Sequence, residues 1–377
     1  MSLAAVTGVG IHPFGRFEGK TVTQMGVDAV RAALVEAGDP RIDAAFCGTA
    51  YSGVAAGHKV LGALARTGMP IVDVEAGCAS GAAALQLAAG AIRAGQYDTV
   101  LVFGIEKMPK GIIRSSFFEP WREQAGLAAT PSYFALRAQR LMRERGVTKD
   151  DLAAVVVKNR AHGVDNPNAM FRKAVTAEEV LASRVVCEPL HLWMLCSPNE
   201  GAAAVVVRRA ESAVAGTIEV AAACLRSHLP GSVLGEATPM AGIDDSAITP
   251  PSTLAAQQAY EQAELGPDDV DVAECQDTDA ARELLAWEEL GLCAPGAQGA
   301  LLASGAHHLG GRRPVNPSGG LLAKGEPLGA SALGQMVELV HQLRGEAGGR
   351  QVEGARVALA HTVGRGANAS VTILRRH

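Results

Sequence analysis

The chain has 377 residues, a formal net charge of −5 at pH 7, and 48% hydrophobic against 19% charged residues. That balance excludes intrinsic disorder, which needs low hydrophobicity and high charge, and it leaves no basic excess to hold nucleic acid. At about 150 residues per domain, the length fits two domains or two fused halves. Aromatic residues make up only 4%, while glycine occurs 43 times, so the core must rely on Ala, Val and Leu with backbones packed close. Seven cysteines without a CxxC pair argue against a disulfide framework or a zinc site of cysteine pairs, and no metal is expected. The opening MSLAAVTGVGIHPFGR has neither the basic start nor the long apolar run of a signal peptide. No apolar run is long enough to span a bilayer, so neither nucleic acid nor membrane is an expected partner. The expected location is cytoplasmic.

Taken in order, Ala4–Val9 reads as a strand and Thr21–Ala37 as a helix with Thr21 as N-cap. Ile42–Cys47 and Ile71–Glu75 read as strands. Gly81–Ala94 reads as a helix stopped by Gly95, and Thr99–Gly104 as a buried strand. Residues from about Met108 to Cys196 read as an inserted loop domain with two helical segments. Thr217–Ala223 is strand-like and Pro251–Ala263 helical. The stretch LGPDDVDVAECQD then repeats the helix–turn–acidic–strand–Cys order of AGDPRIDAAFCGT, about 230 residues later. A duplicated α/β fold is the expected architecture, with halves at 1–215 and 216–377.

Three segments carry chemistry. In PIVDVEAGCASGAAALQLAAGAI a strand ends, a tight turn holds Cys78, and a helix begins. A thiol at a helix N-terminus is favoured as thiolate, and the N–H groups there suit an oxyanion. The same residue also reads as a small buried side chain in an Ala-rich turn. VNPSGGLLAKGEPLGASALGQMVELV reads as a glycine loop close to something, or as an ordinary β-to-α loop, followed by a helix from about Leu328. VALAHTVGRGANASVTIL reads as two strands joined by a glycine turn, with His361 on the first. GRFEGKT is one residue short of a phosphate-binding P-loop. His58 reads as a packing or site histidine. Arg160, Arg172, Lys173, Arg312 and Arg313 are candidates for coenzyme A phosphates or ordinary solvated charges.

Together these segments resemble the thiolase superfamily, specifically the sterol-carrier-protein-type thiolases. GVGIHPFGRF, DLAAVVVKNRAHGVDNPNAMFRKAVTAEEVLASRVV, SPNEGAAAVVV, NPSGGLLAKGEPLGA and ALAHTVG each resemble family segments, so the likeness covers essentially the whole chain. It implies a thiolase-like fold of two βαβαβαββ halves in αβαβα layers, a homodimer or dimer of dimers, and no tightly bound cofactor. A coenzyme A thioester is the implied substrate, and a separate small OB-fold/zinc-ribbon acyl-CoA-binding protein the implied partner.

Two motifs depart from the family. Gly325-Glu326-Pro327 stands where the family carries Gly-His-Pro. Gln276, Asp277, Thr278 and Asp279 stand where sterol-carrier-protein-type members carry His-Asp-Cys-Phe. Cys275, three positions before that motif's cysteine, is expected on the opposite strand face. The implied catalytic residues are Cys78 as nucleophile, His361 as its partner, and Glu326 as base or protonated donor. Gln276, Asn316, Ser318, Gly319 and Gly364 are the implied substrate-binding residues. The expected activity is acyl transfer from acyl-CoA to a non-classical acceptor, or formation or cleavage of a C–C bond. Two alternatives stay open: a retro-aldol lyase on β-hydroxyacyl-CoA, whose family members carry tyrosines absent from these motifs, and a non-catalytic subunit of a hetero-oligomer.

Overall fold

A computed structural model describes residues 2–111, 120–125, 129–230, 248–364 and 368–377. The first half runs β1 (Leu3–Gly15), α1 (Val22–Glu36), β2 (Ala44–Gly48), α2 (Ala56–Ala63), β3 (Ile71–Val74), α3 (Ser80–Arg93) and β4 (Thr99–Lys107). An excursion follows through α4 (Pro120–Gln124), α5 (Thr130–Arg145), α6 (Lys149–Gly163) and α7 (Ala177–Ala182), then the hairpin of β5 (Val185–Cys187) and β6 (Leu190–His191). β7 (Glu200–Ala210) returns to the main sheet. The second half runs β8 (Ile218–Ser227), α8 (Pro251–Ala263), β9 (Val272–Cys275), α9 (Ala280–Glu289), α10 (Gln298–Ala303), α11 (Gly320–Lys324), α12 (Leu328–Arg344), β10 (Val357–Gly364) and β11 (Asn368–Arg376).

Local signals explain several of these elements. Thr21 caps α1: its hydroxyl accepts from Gln24 N at 3.2 Å while the Gln24 side chain accepts from Thr21 N at 2.9 Å. Gly95 follows α3 with φ +72°, the left-handed stop that glycine tolerates best. β1 runs past its expected end at Val9, and its ladder with β7 continues to Gly15 opposite Glu200.

Apart from the β5–β6 hairpin, the described strands form one sheet in the order β3-β2-β4-β7-β1-β8-β11-β10-β9. β1 and β8 meet at the seam, and the two halves unfold outward from it in the same sequence: first strand, last, last but one, second. Among the described residues of the second half, the third strand's place is taken by a single bridge between Ala273 and Val315. Pro314, beside that bridge, has no N–H to extend a ladder.

Strand alternation separates the layers. On β4, Val100 and Val102 face α3 and α12, whereas Leu101, Phe103 and Ile105 face α1 and α2. On β10, Ala358 and Ala360 face α12, whereas Leu359 faces the layer of α8 and α9. Helices therefore cover both faces, and α3 and α12 form the inner layer. Every residue of α12 except His341 and Arg344 is buried, as an inner helix requires.

Candidate active site

Cys78 sits in the turn between β3 and α3. The Ser80 hydroxyl clamps this turn, accepting from Ala76 N at 2.9 Å and donating to Gly77 O at 2.6 Å. Glu75 Oε1 accepts from Gly77 N at 2.7 Å. Ala79 N and Ser80 N donate to Ala76 O and Gly77 O, so these two N–H groups belong to the turn and not to an oxyanion. Cys78 is thereby presented at the N-terminal end of α3, packed against Met108 and Leu328.

The N-terminus of α12 is pressed against the same region. A Cβ at Gly329 would lie 2.6 Å from Gly48 O, and one at Gly104 would lie 2.1 Å from Gly329 O, so only glycines permit this approach. Glu106 lies beneath it, accepting from Ala50 N at 2.8 Å, Tyr51 N at 3.1 Å, Ser52 Oγ at 2.7 Å and Gly329 N at 3.2 Å. Burial pushes the Glu106 carboxyl up, and these donors pull it back. The carboxyl joins the start of α12 to the loop after β2.

Glu326 stands immediately before α12. Its backbone pairs with the segment before β7: Glu326 N donates to Ser197 O at 2.8 Å, and Asn199 N donates to Glu326 O at 3.3 Å. Gly325 allows this pairing, since its φ is +83° and a Cβ there would lie 2.0 Å from Asn199 Nδ2. Both Glu326 carboxyl oxygens accept. Gln276 Nε2 donates to Oε1 at 3.0 Å, and the Cys196 thiol donates to Oε2 at 3.3 Å. Val363 N donates to Gln276 Oε1, which orients the amide. Burial, followed by the charge of Glu326, pushes the Cys196 thiol well up, so it stays a proton donor.

Cys78, Cys196, Gln276 and Glu326 line one cavity of about 610 Å³. Phe134, Phe171, Trp193, Leu195 and Val363 give it apolar walls. Cys196 is the residue that sequence reasoning missed. It stands immediately before the SPNEG stretch, which carried the family likeness but no chemical cue, and it meets Glu326 across 130 residues of chain.

The other expected site residues fall elsewhere. His361 is not among the residues lining this cavity. Strand alternation turns it with Leu359 toward the layer of α8, where Nε2 lies 3.0 Å from Ser252 Oγ. It is fully buried, and burial, then the charge of Arg282, holds its pKa well below the ordinary histidine value. The structure thus corrects the expected pairing of Cys78 with His361.

Asn316, Ser318 and Gly319 are buried behind the cavity, a second correction. Asn316 Oδ1 accepts from Cys275 N at 2.8 Å and its Nδ2 donates to Glu283 at 2.7 Å. Ser318 Oγ donates to Glu274 at 2.6 Å. Gly319 packs on Gly163, and a Cβ there would lie 2.8 Å from Gly163 Cα. Gly364 does abut the Cys78 turn: a Cβ there would lie 2.0 Å from Ala76 O. Cys275 is buried in the outer core and does not line the cavity. His58, Arg172, Lys173 and Arg312 are exposed, and Arg313 is occupied by Val270 O at 3.0 Å and Asp268 at 3.2 Å. Among the described residues no cluster of His, Cys, Asp and Glu could hold a metal ion.

With this geometry in hand, comparison with known proteins decides the family. A model of the thiolase N-terminal domain matches residues 4–211, and one of the thiolase C-terminal domain-like family matches 238–376. The chain belongs to the thiolase family. It is 36% identical to acetyl-CoA acetyltransferase of Methanothermobacter thermautotrophicus, covering 99% of each chain. It is 34% identical to sterol carrier protein 2 of Bos taurus, covering 98% of this chain and 72% of that one. It is 36% identical to benzoylsuccinyl-CoA thiolase subunit BbsB of Thauera aromatica, covering 97% of this chain and 96% of that one. Among solved structures, the Ltp2–ChsH2(DUF35) aldolase superposes with a TM-score of 0.86 at 26% identity, covering 99% of this chain and 98% of that one. These relatives place this thiolase in the acyltransferase class, within the sterol-carrier-protein type. No helix among its described residues is long and apolar enough to cross a membrane.

Proposed function

We propose that this thiolase takes an acyl group from a coenzyme A thioester onto Cys78 and passes it to an acceptor, with Glu326 moving the protons. The observation that carries this reading is that Cys78 and a two-point-anchored Glu326 line one cavity. In the first half-reaction Glu326 takes the Cys78 proton and the thiolate attacks the thioester carbonyl. Coenzyme A leaves as thiolate and takes the proton back from Glu326. In the second half-reaction Glu326 takes a proton from the acceptor, whose nucleophilic atom attacks the acyl-Cys78 thioester. Cys78 leaves as thiolate and is reprotonated by Glu326. The positive end of α3 favours the thiolate at both stages.

A carboxylate at 326 is an acceptor where the family's histidine is a donor, so the acceptor group must itself bring a removable proton. Glu326→Gln removes the base and keeps the volume. It should slow acyl transfer by roughly 10²- to 10⁴-fold, measured as single-turnover release of coenzyme A. An unchanged rate would remove Glu326 from the chemistry.

The aldolase neighbour favours one second reading, retro-aldol cleavage of a β-hydroxyacyl thioester. Against it, no tyrosine lines the cavity among the described residues. That reaction needs no acyl-cysteine, so turnover of a β-hydroxyacyl-CoA by Cys78→Ala would establish it.

We also propose that two copies of this chain associate through β3. It is an edge strand, paired on one side only by β2, and Val72 on it is 44% exposed. Light scattering on the eluting protein should give the mass of two chains, and Val72→Lys should shift it toward one. Because the aldolase relative is a complex with a DUF35 chain and the Thauera relative is a subunit, we propose a separate small acyl-CoA-binding partner here too.

A further inference from the structure

Five arginines line the cavity among the described residues: Arg16, Arg137, Arg160, Arg184 and Arg282. Three are neutralised inside the protein. Arg16 lies 3.6 Å from Glu200 and donates to the carbonyls of Met108 and Pro198. Arg137 pairs with Asp279, and Arg282 pairs with Glu289. Arg184 is exposed to water.

Arg160 differs from all of these. It is 8% exposed, yet among the described residues it has neither an ion-pair partner nor a hydrogen-bond acceptor, and its Nε is buried without a partner. Its guanidinium lies over the Phe171 ring, 4.1 Å from the centroid, which sets the plane of the fork. Burial alone lowers its pKa to about 10, with no neighbouring carboxylate to raise it again. A buried cation without a counter-charge is costly to keep unless something pairs with it. Arg160 is itself among the residues lining the cavity.

We propose that Arg160 binds a carboxylate on the acyl chain of the thioester substrate, so that this protein selects carboxyacyl thioesters over plain acyl ones. The proposal rests on the acyl-thioester reading of the cavity. A planar guanidinium held by a ring matches a carboxylate through two parallel hydrogen bonds. The remaining walls are largely apolar and suit the methylenes between the two carbonyl groups. The phosphates of coenzyme A are a poorer match: they carry several charges, and one buried guanidinium would leave most of them uncompensated. They are also common to every thioester, so meeting them would confer no selectivity.

The test uses binding in the full-length Cys78→Ala protein, where no acyl transfer can intervene. Calorimetric titrations compare succinyl-CoA with butyryl-CoA, glutaryl-CoA with valeryl-CoA, and adipyl-CoA with hexanoyl-CoA, with coenzyme A as reference. Each pair differs only by carboxylate against methyl. At least one carboxyacyl ester should bind about 10- to 100-fold tighter than its partner. Adding Arg160→Met should erase that margin and leave coenzyme A binding unchanged. Three results would overturn the proposal: no margin in any pair, a margin that survives Arg160→Met, or an equal loss of affinity for coenzyme A itself, which would assign the arginine to a phosphate. If Arg160→Met does not fold, the margin with the arginine present still decides the first point. Arg160→Lys, which keeps the charge but loses the fork, should then reduce the margin without touching coenzyme A. Failure of acyl transfer itself would appear separately, as the absence of a covalent adduct on the unmutated protein.

Discussion

Replacing Cys78 with alanine should abolish the acyl-enzyme and lower acyl-transfer turnover by roughly 10⁴- to 10⁶-fold. The chemistry has nowhere else to go: among the described cavity residues the other thiol, Cys196, is held as a donor to Glu326 at 3.3 Å and its pKa is pushed up by burial. Intact-protein mass spectrometry after incubation with a panel of acyl-CoAs reads the effect directly. The unmutated chain should gain the mass of one acyl group, and Cys78→Ala should gain none. His361→Asn supplies a contrast within the same experiment. His361 contacts Ser252 on α8 and does not line the cavity, so this variant should still acquire the acyl group. Loss of the adduct in His361→Asn with the fold intact would restore a Cys78–His361 pair. Full turnover by Cys78→Ala would end the covalent reading.

The turn that presents Cys78 was legible from the sequence because it is local. A strand, a small-residue turn and an Ala-rich helix lie consecutively, and helix α3 starts within a residue of its expected position. The parity of β9 was legible too, and Cys275 does face away from the cavity. The same reasoning applies to His361, which stands directly opposite Cys275 in the parallel pairing of β10 with β9. Applied there, it would have turned that histidine toward the outer helices. The Asn-Pro-Ser-Gly-Gly loop misleads for a different reason. Its glycines do mark a close approach, but to a buried carboxylate: a Cβ at Gly320 would lie 2.2 Å from Asp277 Oδ2. Composition signals that backbone must come near something, and only the folded chain says what. Cys196 was not legible as a site residue, and Arg160 was legible only as one of five candidates for coenzyme A phosphates or ordinary solvated charges. Each is defined by what lies around it after folding, a carboxylate brought in from 130 residues away for one and the lack of any carboxylate for the other.

That buried loop leads to the largest expected effect on stability. Lys158 on α6 is wholly buried; its ammonium donates to Val315 O at 2.9 Å and to Asn159 Oδ1 at 2.5 Å, and it forms an ion pair with Glu283, 2.8 Å from Oε1. Glu283 in turn accepts from Asn159 Nδ2 at 2.6 Å and Asn316 Nδ2 at 2.7 Å. Asp277 adjoins the same cluster, accepting from Asn159 Nδ2 at 2.8 Å and from Leu321 N at 2.6 Å. Burial, then the charge of Glu283, pushes the Asp277 carboxyl well up, and Lys158 acts in the opposite sense. Lys158→Met therefore leaves a buried carboxylate pair without its cation, which should cost about 3–5 kcal/mol. The readout is the urea unfolding midpoint, expected to fall at unchanged slope. Adding Glu283→Gln removes the stranded charge while keeping an acceptor oxygen for the two asparagines, and should recover much of the loss. A single variant as stable as the unmutated chain would show that this network contributes little. A double variant no better than the single would assign the loss to the missing Val315 and Asn159 hydrogen bonds instead of to charge. Because the network holds Asn316 and Leu321 in the segment that leads to Glu326, partial loosening should also slow acyl transfer while leaving Cys78 in place on α3.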